Sequence, residues 1–112
     1  MRAVKSTLAW MAALALAVAG CRQADIRSAA IHVPAMKSQA CVDRVQKALM
    51  AEQALVESQI SIDLKSRTVE VRYDSLRHSL KNLEFTIADA GFDANDIPAN
   101  PDAQKALPAE CR

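Results

Sequence analysis

The stretch IHVPAMKSQACVDRVQKAL, residues 31–49, contains a change of hydrophobic period that decides the fold. From Ala29 to Pro34 apolar residues alternate along the chain, which is the period of a strand, and the proline ends the run. After it, Ser38 is a favoured helix N-cap residue. Apolar residues then recur at helical spacing, namely Val42, Val45, Ala48 and Leu49. The stretch therefore predicts a strand, a loop and a helix that ends near Glu52.

Two further alternating runs follow the first helix. The apolar residues of 60–64 and of 69–73 each recur at every second position, and Lys65-Ser66-Arg67 joins the runs tightly. This pattern predicts a β-hairpin. A second helix is predicted to start at Ser79 and to stop at Gly91. Its expected buried face consists of Leu80, Leu83, Ile87 and Ala90.

The order of these segments predicts the fold class. Phe92 is expected to anchor a short last strand or an extended segment after the second helix. The order is then strand, helix, strand, strand, helix, strand, which is typical of an α+β, ferredoxin-like βαββαβ sandwich. Such a fold has one antiparallel sheet with both helices on one face. The domain is expected over residues 29–97, and the proline-rich tail 98–112 is expected to hold a turn of helix near residues 102–106.

The first twenty residues have the marks of a secretory signal peptide. Arg2 and Lys5 give a basic start, an apolar run follows, and small residues precede Cys21. The run is too short to predict a membrane span. Val18-Ala19-Gly20-Cys21 resembles a bacterial lipobox. This implies cleavage before Cys21, which removes residues 1–20, a lipid on Cys21 and a tether over 21–28. The alternatives are an ordinary signal with a chance cysteine, or an uncleaved anchor.

A signal of this kind predicts that the protein lies in the cell envelope, facing the periplasm. Arg22, rather than an aspartate, follows Cys21, and this resembles lipoproteins sorted to the outer membrane in cells with two membranes. Outside the cytoplasm free thiols are oxidised, so the two remaining cysteines, Cys41 and Cys111, are expected to pair or to share a metal.

Charge and composition exclude several function classes. The chain has 14 Lys+Arg and 13 Asp+Glu, and cleavage removes Arg2 and Lys5, so the mature net charge is 12 − 13 = −1. With no basic field and four aromatic residues in the chain, nucleic-acid binding is not expected. The sequence also lacks a Ser/His/Asp set, paired catalytic carboxylates and a glycine-rich phosphate loop, so it is predicted not to be an enzyme.

The loop Ala35–Cys41, AMKSQAC, resembles the metal loop of the heavy-metal-associated domain family, whose signature is G-M-x-C-x-x-C. The family includes periplasmic mercury-binding proteins, copper chaperones and domains of metal-pumping ATPases. The similarity extends through VDRVQKAL, ISIDLKSRTVEVRYD and LEFTIADAGFD and covers about residues 29–94. It implies the ferredoxin-like fold and soft-metal binding. The exposed face of the first helix carries Asp43, Arg44, Lys47 and Glu52, and its default interpretation is a solvated face. The resemblance implies the alternative, that a metal transporter or acceptor domain docks there through charge.

One substitution in the loop weakens the metal site that the resemblance implies. Ser38 replaces the first signature cysteine, and a hydroxyl is a poor ligand for Cu(I) or Hg(II), which select thiolates. The tail resembles an extension found in some bacterial members, which end in Leu-Pro and two adjacent cysteines. Here Glu110 takes one of those places and Cys111 the other. The resemblance therefore implies that Cys41 and Cys111 act together.

Three functions remain open at this stage. Cys41 and Cys111 could bind Cu(I) or Hg(II) in a lipid-anchored periplasmic binding or transfer module. They could instead form a disulfide in a structural or binding module that has lost its metal. A thiol–disulfide switch, which binds metal only when reduced, would combine the two. Cα atoms about 4.4–6.8 Å apart would allow the disulfide.

The remaining candidates near the loop have a simpler expectation. Met36 matches the methionine of the family loop and is expected to pack in the core rather than to bind metal. Phe92 is expected to shield the site or to fill the core. His32 and His78 have no partner at a metal-ligand spacing and are expected to be solvated.

Overall fold

The computed structural model describes residues 23–112, so the predicted signal peptide and Cys21 lie outside the described residues. Within residues 23–112, the secondary structure consists of three strands, three α-helices and two 3-10 turns. These are β1 Ile26–His32, α1 Gln39–Gln53, the 3-10 turn Glu57–Gln59, β2 Ile60–Asp63, β3 Thr68–Asp74, α2 Leu80–Asp89, α3 Pro101–Lys105 and the 3-10 turn Ala109–Cys111.

The three strands form one antiparallel sheet in the order β1-β3-β2. The pattern of burial alternates along β3, where Val69 and Val71 are buried while Glu70 is exposed. Period-two alternation places one face of the sheet against a core and leaves the other face polar. The α+β, ferredoxin-like class and the predicted hairpin are therefore confirmed.

The end of the domain differs from the sequence prediction. No fourth strand forms after Phe92 within residues 23–112; instead an isolated bridge joins Ala94 to Ile97. Asn95 adopts a left-handed φ of 49°, which turns the chain out of an extended path. The alternative expectation, an extended or irregular segment, describes this region better than a strand.

The first strand begins earlier than predicted. It starts at Ile26 rather than Ala29, so the last residues of the predicted tether belong to the sheet. The reason is an anchor at the far end of β3: the Asp25 N–H donates to Asp74 Oδ1 at 3.0 Å, and the Ser75 N–H donates to the Asp25 carbonyl at 2.8 Å. The backbone N–H of Asp25, and then that of Leu76, hold the pKa of Asp74 below its ordinary value.

The core lies between the sheet and the helices. It includes the predicted Val42, Val45 and Leu49 of α1 and Leu83 and Ile87 of α2, together with Met36, Phe92 and both described cysteines. The predicted Leu80 and Ala90 are partly buried against this core, whereas Ala48 is partly buried outside it. The predicted start of α2 is confirmed, because Ser79 Oγ accepts the Asn82 N–H at 3.1 Å. The predicted helical turn in the tail corresponds to α3. The core thus reaches from the sheet to the C-terminal tail.

Candidate metal centre

The first helix presents Cys41 at its N-terminus. Ser38 has extended backbone angles at the N-cap position of α1, and Cys41 follows in the first turn. The Ser38 hydroxyl does not cap a backbone N–H, as its residue type predicts, but lies 3.2 Å from Cys41 Sγ. The position of the predicted cap is therefore confirmed, whereas its hydrogen bond goes to sulfur.

A disulfide joins Cys41 to Cys111, with the Cα atoms 5.6 Å apart. The separation falls within the range that disulfides require. Both residues are fully buried. Since a bonded sulfur has no proton, the Ser38 hydroxyl is the donor in its contact with Cys41 Sγ. The pairing of loop and tail that the family resemblance implied is present in the structure.

The tail reaches the loop along a path fixed by several contacts. Leu107 is buried in the core, and the 3-10 turn that follows places Cys111 beneath the loop. The Cys111 N–H donates to the Pro108 carbonyl at 2.9 Å, and Arg112 Nε donates to the Leu107 carbonyl at 3.0 Å. Lys37 Nζ donates to the Arg112 carbonyl at 3.1 Å and so ties the loop to the tail.

The polar groups near Cys41 Sγ are the Ser38 hydroxyl and one backbone carbonyl of the tail. The Glu110 carbonyl oxygen lies 3.7 Å from Cys41 Sγ, while the Glu110 side chain is exposed. Met36 and Phe92 are fully buried in the same core, so the thioether of Met36 is a packing group in this state. The loop that carries Met36 is held from the hairpin, because Arg67 Nη1 donates to the Pro34 carbonyl at 2.9 Å.

The histidines do not complete a metal site in the described part of the chain. His32 is exposed at the end of β1, and His78 Nδ1 lies 3.0 Å from Gln53 Oε1. Across residues 23–112, no group of three or more His, Cys, Asp or Glu side chains is gathered closely enough to hold a metal ion. Zn(II), which takes four ligands in structural sites, therefore does not fit these residues.

The two sulfurs fit a soft ion only after reduction. In the disulfide neither sulfur is a thiolate, and the thiolate is the species that binds metal. Reduction would give two thiols on backbones whose Cα atoms are 5.6 Å apart in the disulfide, and their thiolates are a donor pair of the kind that Cu(I) selects. Cys41 also lies at a helix N-terminus, where the helix dipole favours the thiolate form.

Sequence reasoning missed two contacts of this centre. It treated Ser38 only as a lost ligand and helix cap, and it gave Lys37 no role. A cysteine three positions after the cap points back toward that cap on the helix, and this spacing was the available signal for the contact between Ser38 and Cys41. No sequence signal identifies the contact of Lys37, because it depends on where the tail docks.

The exposed face of α1 is a charged surface next to the centre. Asp43, Arg44, Lys47 and Glu52 are all exposed, as the sequence predicts. Gln39 Nε2 donates to Asp43 Oδ1 at 3.0 Å across the first turn of the helix. In the described part of the chain, no helix is long and apolar enough to cross a membrane.

Comparison with known proteins gives a consistent result. The sequence model described as "Heavy-metal-associated domain" matches residues 30–93. The solved structure of oxidised MerP from Ralstonia metallidurans CH34 is 27% identical and aligns over 63% of this chain and 96% of that one, with a TM-score of 0.55. The copper chaperone Atx1 from Synechocystis PCC6803, in a trimeric form, is also 27% identical over 60% of this chain and 98% of its own, with a TM-score of 0.51. None of the curated proteins matches the chain.

Proposed function

This chain belongs to the heavy-metal-associated domain family, and from that membership we propose that it binds Cu(I) or Hg(II) through Cys41 and Cys111 once their disulfide is reduced. The observation that carries the proposal is the 5.6 Å approach of the two Cα atoms. It supports a relocated site, in which the tail supplies the sulfur that Ser38 does not.

The oxidised state is the resting form in this proposal. A dithiol reductant donates two electrons and two protons, the Cys41–Cys111 bond breaks, and the reductant becomes a disulfide. Because both residues are fully buried, the 3-10 turn Ala109–Cys111 has to lift before a thiolate can attack. Metal binding then releases the thiol protons, so affinity is expected to rise with pH.

The same proposal places the protein in the cell envelope. A lipid on Cys21 would anchor it, facing the periplasm, and in the outer membrane of a cell that has two membranes. The exposed charged face of α1 next to Cys41 supports docking of a metal transporter or acceptor domain, with charge setting the orientation. Capture or transfer of the ion in metal resistance or homeostasis would be the biological role.

A second function is favoured by the burial of the disulfide. Both cysteines are fully buried, and the tail is tied to the loop by Lys37 as well as by the covalent bond. In a structural or binding module, this disulfide would fix the tail permanently and no metal would bind. The two functions differ in what the reduced protein does.

The test is a thiol count followed by metal titration of the full chain in detergent. We expect that reduction releases two thiols, those of Cys41 and Cys111, and that the reduced protein then binds one Cu(I) or Hg(II) per chain. Cys41→Ser and Cys111→Ser should each abolish this tight binding, while His78→Ala serves as a control that leaves it unchanged. If the reduced protein binds metal no more tightly than a free thiol does, the structural function is correct instead.

A further inference from the structure

The outer edge of β1 carries backbone groups that point away from the sheet. The His32 N–H donates to Asn95 Oδ1 at 2.9 Å, and the His32 carbonyl accepts the Asn95 N–H at 2.9 Å, so both groups of His32 face outward from β3. In an antiparallel ladder the direction of these groups alternates with each residue. Those of Ile26, Ser28 and Ala30 therefore also face outward.

Two bonds on the inner side confirm this assignment. The Val33 N–H donates to the Arg67 carbonyl, and the Asp25 carbonyl accepts from Ser75, so odd-numbered residues face β3. Within residues 23–112, no backbone group bonds to the outward groups of Ile26, Ser28 and Ala30. In the described part of the chain, the His32 end of this edge is occupied by Asn95, in the region where the sequence predicted a short strand or an extended segment.

This edge has few of the features that normally prevent strands from pairing. Exposed edges are usually short or carry charged side chains, lysine above all, or proline, and β1 has a single such residue, Arg27. The other edge strand, β2, has four residues, whereas β1 has seven and contains neither proline nor lysine. The centre of β1 has small side chains, those of Ser28, Ala29 and Ala30. At the start of the strand, the apolar side chain of Ile26 is 53% exposed. The edge is therefore open to an added strand.

We propose that a second copy of this chain pairs with β1 along this edge, antiparallel, with Ser28 opposite Ser28 of the second copy. In this register Ile26 lies opposite Ala30 of the second copy, and the reverse pair forms by symmetry. Three pairs with two bonds each give about six hydrogen bonds between the chains. The exposed side chain of Ile26 then packs beside Ala30 on the outer face of the sheet.

Charge and sterics select this register over its neighbours. If the two-fold axis moves one residue toward Ile26, Arg27 lies directly opposite Arg27 of the second copy. Like charges opposite each other destabilise a sheet. Shifting it toward Ala30 places Ile26 opposite His32, whose outward groups already bind Asn95. With Ser28 at the centre, Arg27 faces Ala29 and keeps its 3.0 Å ion pair with Asp25.

The dimer has a defined architecture. A two-fold axis perpendicular to the sheet joins the two copies into one six-stranded antiparallel sheet in the order β2-β3-β1-β1-β3-β2. Both sets of helices lie on the same face, and both polar faces remain exposed. Cys41 and Cys111 lie beyond the other end of β1, so the dimer leaves both disulfides outside the new strand pair. The inference is therefore independent of the metal-binding proposal.

The test places single cysteines along the edge of the full chain in detergent, with Cys21→Ser so that the added thiol is the only unpaired one. A bonded pair at the two-fold axis has Cα atoms about 5.5 Å apart, within the range for a disulfide. Ser28→Cys should thus give a covalent dimer under mild oxidation. Ala30→Cys is the matched control, because the two copies of residue 30 lie about 13 Å apart along the strands.

A second measurement does not depend on oxidation. Ser28→Pro removes an outward N–H but no bond to β3, so the fold should be retained, as thermal unfolding can check. In sedimentation equilibrium we expect a dimer for the original chain and a monomer for this variant. Equal cross-linking of Ser28→Cys and Ala30→Cys, or an original chain that stays monomeric, would overturn the proposal.

Discussion

Ser38 occupies the position of the first cysteine in the family's metal loop, but its side chain is a hydroxyl rather than a thiol. Its hydroxyl lies 3.2 Å from Cys41 Sγ, about where a second sulfur at this position would lie. Oxygen is too hard a donor to replace that sulfur for a soft ion. In the proposed function, the second sulfur comes instead from Cys111 of the tail, which is already bonded to Cys41 in the structure.

This interpretation predicts the effect of restoring the cysteine. In the reduced protein, Ser38→Cys should raise affinity for Hg(II) or Cu(I) by roughly tenfold or more, because a thiolate replaces a hydroxyl near the ion. Competition titration against a chelator of known affinity would measure the change. Ser38→Ala is the control and should leave affinity nearly unchanged.

A double variant distinguishes restoration from a general thiol effect. Ser38→Cys combined with Cys111→Ser should still bind one ion tightly, whereas Cys111→Ser alone should not. If the double variant binds as weakly as the single one, the loop has lost more than its first sulfur.

At this scale, the sequence predicted the importance of Cys41 and Cys111 but not their surroundings. The pairing was implied by the family resemblance, since each half of the site had one cysteine. The contact of Lys37 with the Arg112 carbonyl depends on where the tail docks, and no local pattern specifies that.

Two residues at helix ends have positive φ angles, and one of them is a glycine while the other carries a Cβ. Gly91, just after α2, has a φ of 105°, and a Cβ there would lie 2.9 Å from backbone atoms of Ala103 and Gln104. Ala54, at the C-cap of α1, has a φ of 52° although it carries a Cβ. Glycine adopts such angles without strain, whereas other residues do not.

Substitutions at Gly91 and Ala54 are expected to change the free energy of unfolding in opposite directions. Gly91→Ala should lower the free energy of unfolding by at least about 1–3 kcal/mol, because the added methyl meets the backbone of α3 as well as an unfavourable φ. Ala54→Gly should raise it by about 0.5–1 kcal/mol, because it removes strain at the C-cap. Urea unfolding measures both. A stable Gly91→Ala variant would show that α3 can move away.

The elements themselves followed the sequence where periodicity was strong. The hairpin and both long helices form where the period predicts them, and the main apolar positions of each helix are buried. The predicted cap hydrogen bond is present at Ser79 but absent at Ser38. The predicted last strand does not form in this region, because a tertiary contact decides the path of the chain. Asn95 turns and bonds to His32 rather than extending beside β1. The early start of β1 also depends on a distant residue, Asp74.

At the scale of the whole molecule, the disulfide closes a large ring. It joins residues separated by 70 positions and encloses both long helices, the hairpin and α3. A cross-link of this span restricts the unfolded chain strongly, and the chain-entropy model gives about 4–5 kcal/mol of stabilisation. For a small domain, this is a large part of the total.

Removing the disulfide should therefore leave the domain only marginally stable. Cys41→Ala with Cys111→Ala is expected to lower the free energy of unfolding by about 4–5 kcal/mol, measured by urea unfolding. The original chain under reductant is the control, because it loses the bond but keeps both side chains. A loss below about 1 kcal/mol in both would show that the tail docks firmly without the bond.

The ring also sets how the molecule would respond to a pulling force. A load applied between the segment before β1 and Cys111 passes along β1 and the loop to Cys41, and then directly through the sulfur–sulfur bond. The backbone inside the ring cannot be drawn out, because the disulfide carries the load past it. Of the described residues, only those from 23 to Cys41 can extend, to a length of about 65 Å at roughly 3.6 Å per residue. The mechanical strength of the domain therefore resides in the ladder between β1 and β3, which must break before β1 can be pulled away.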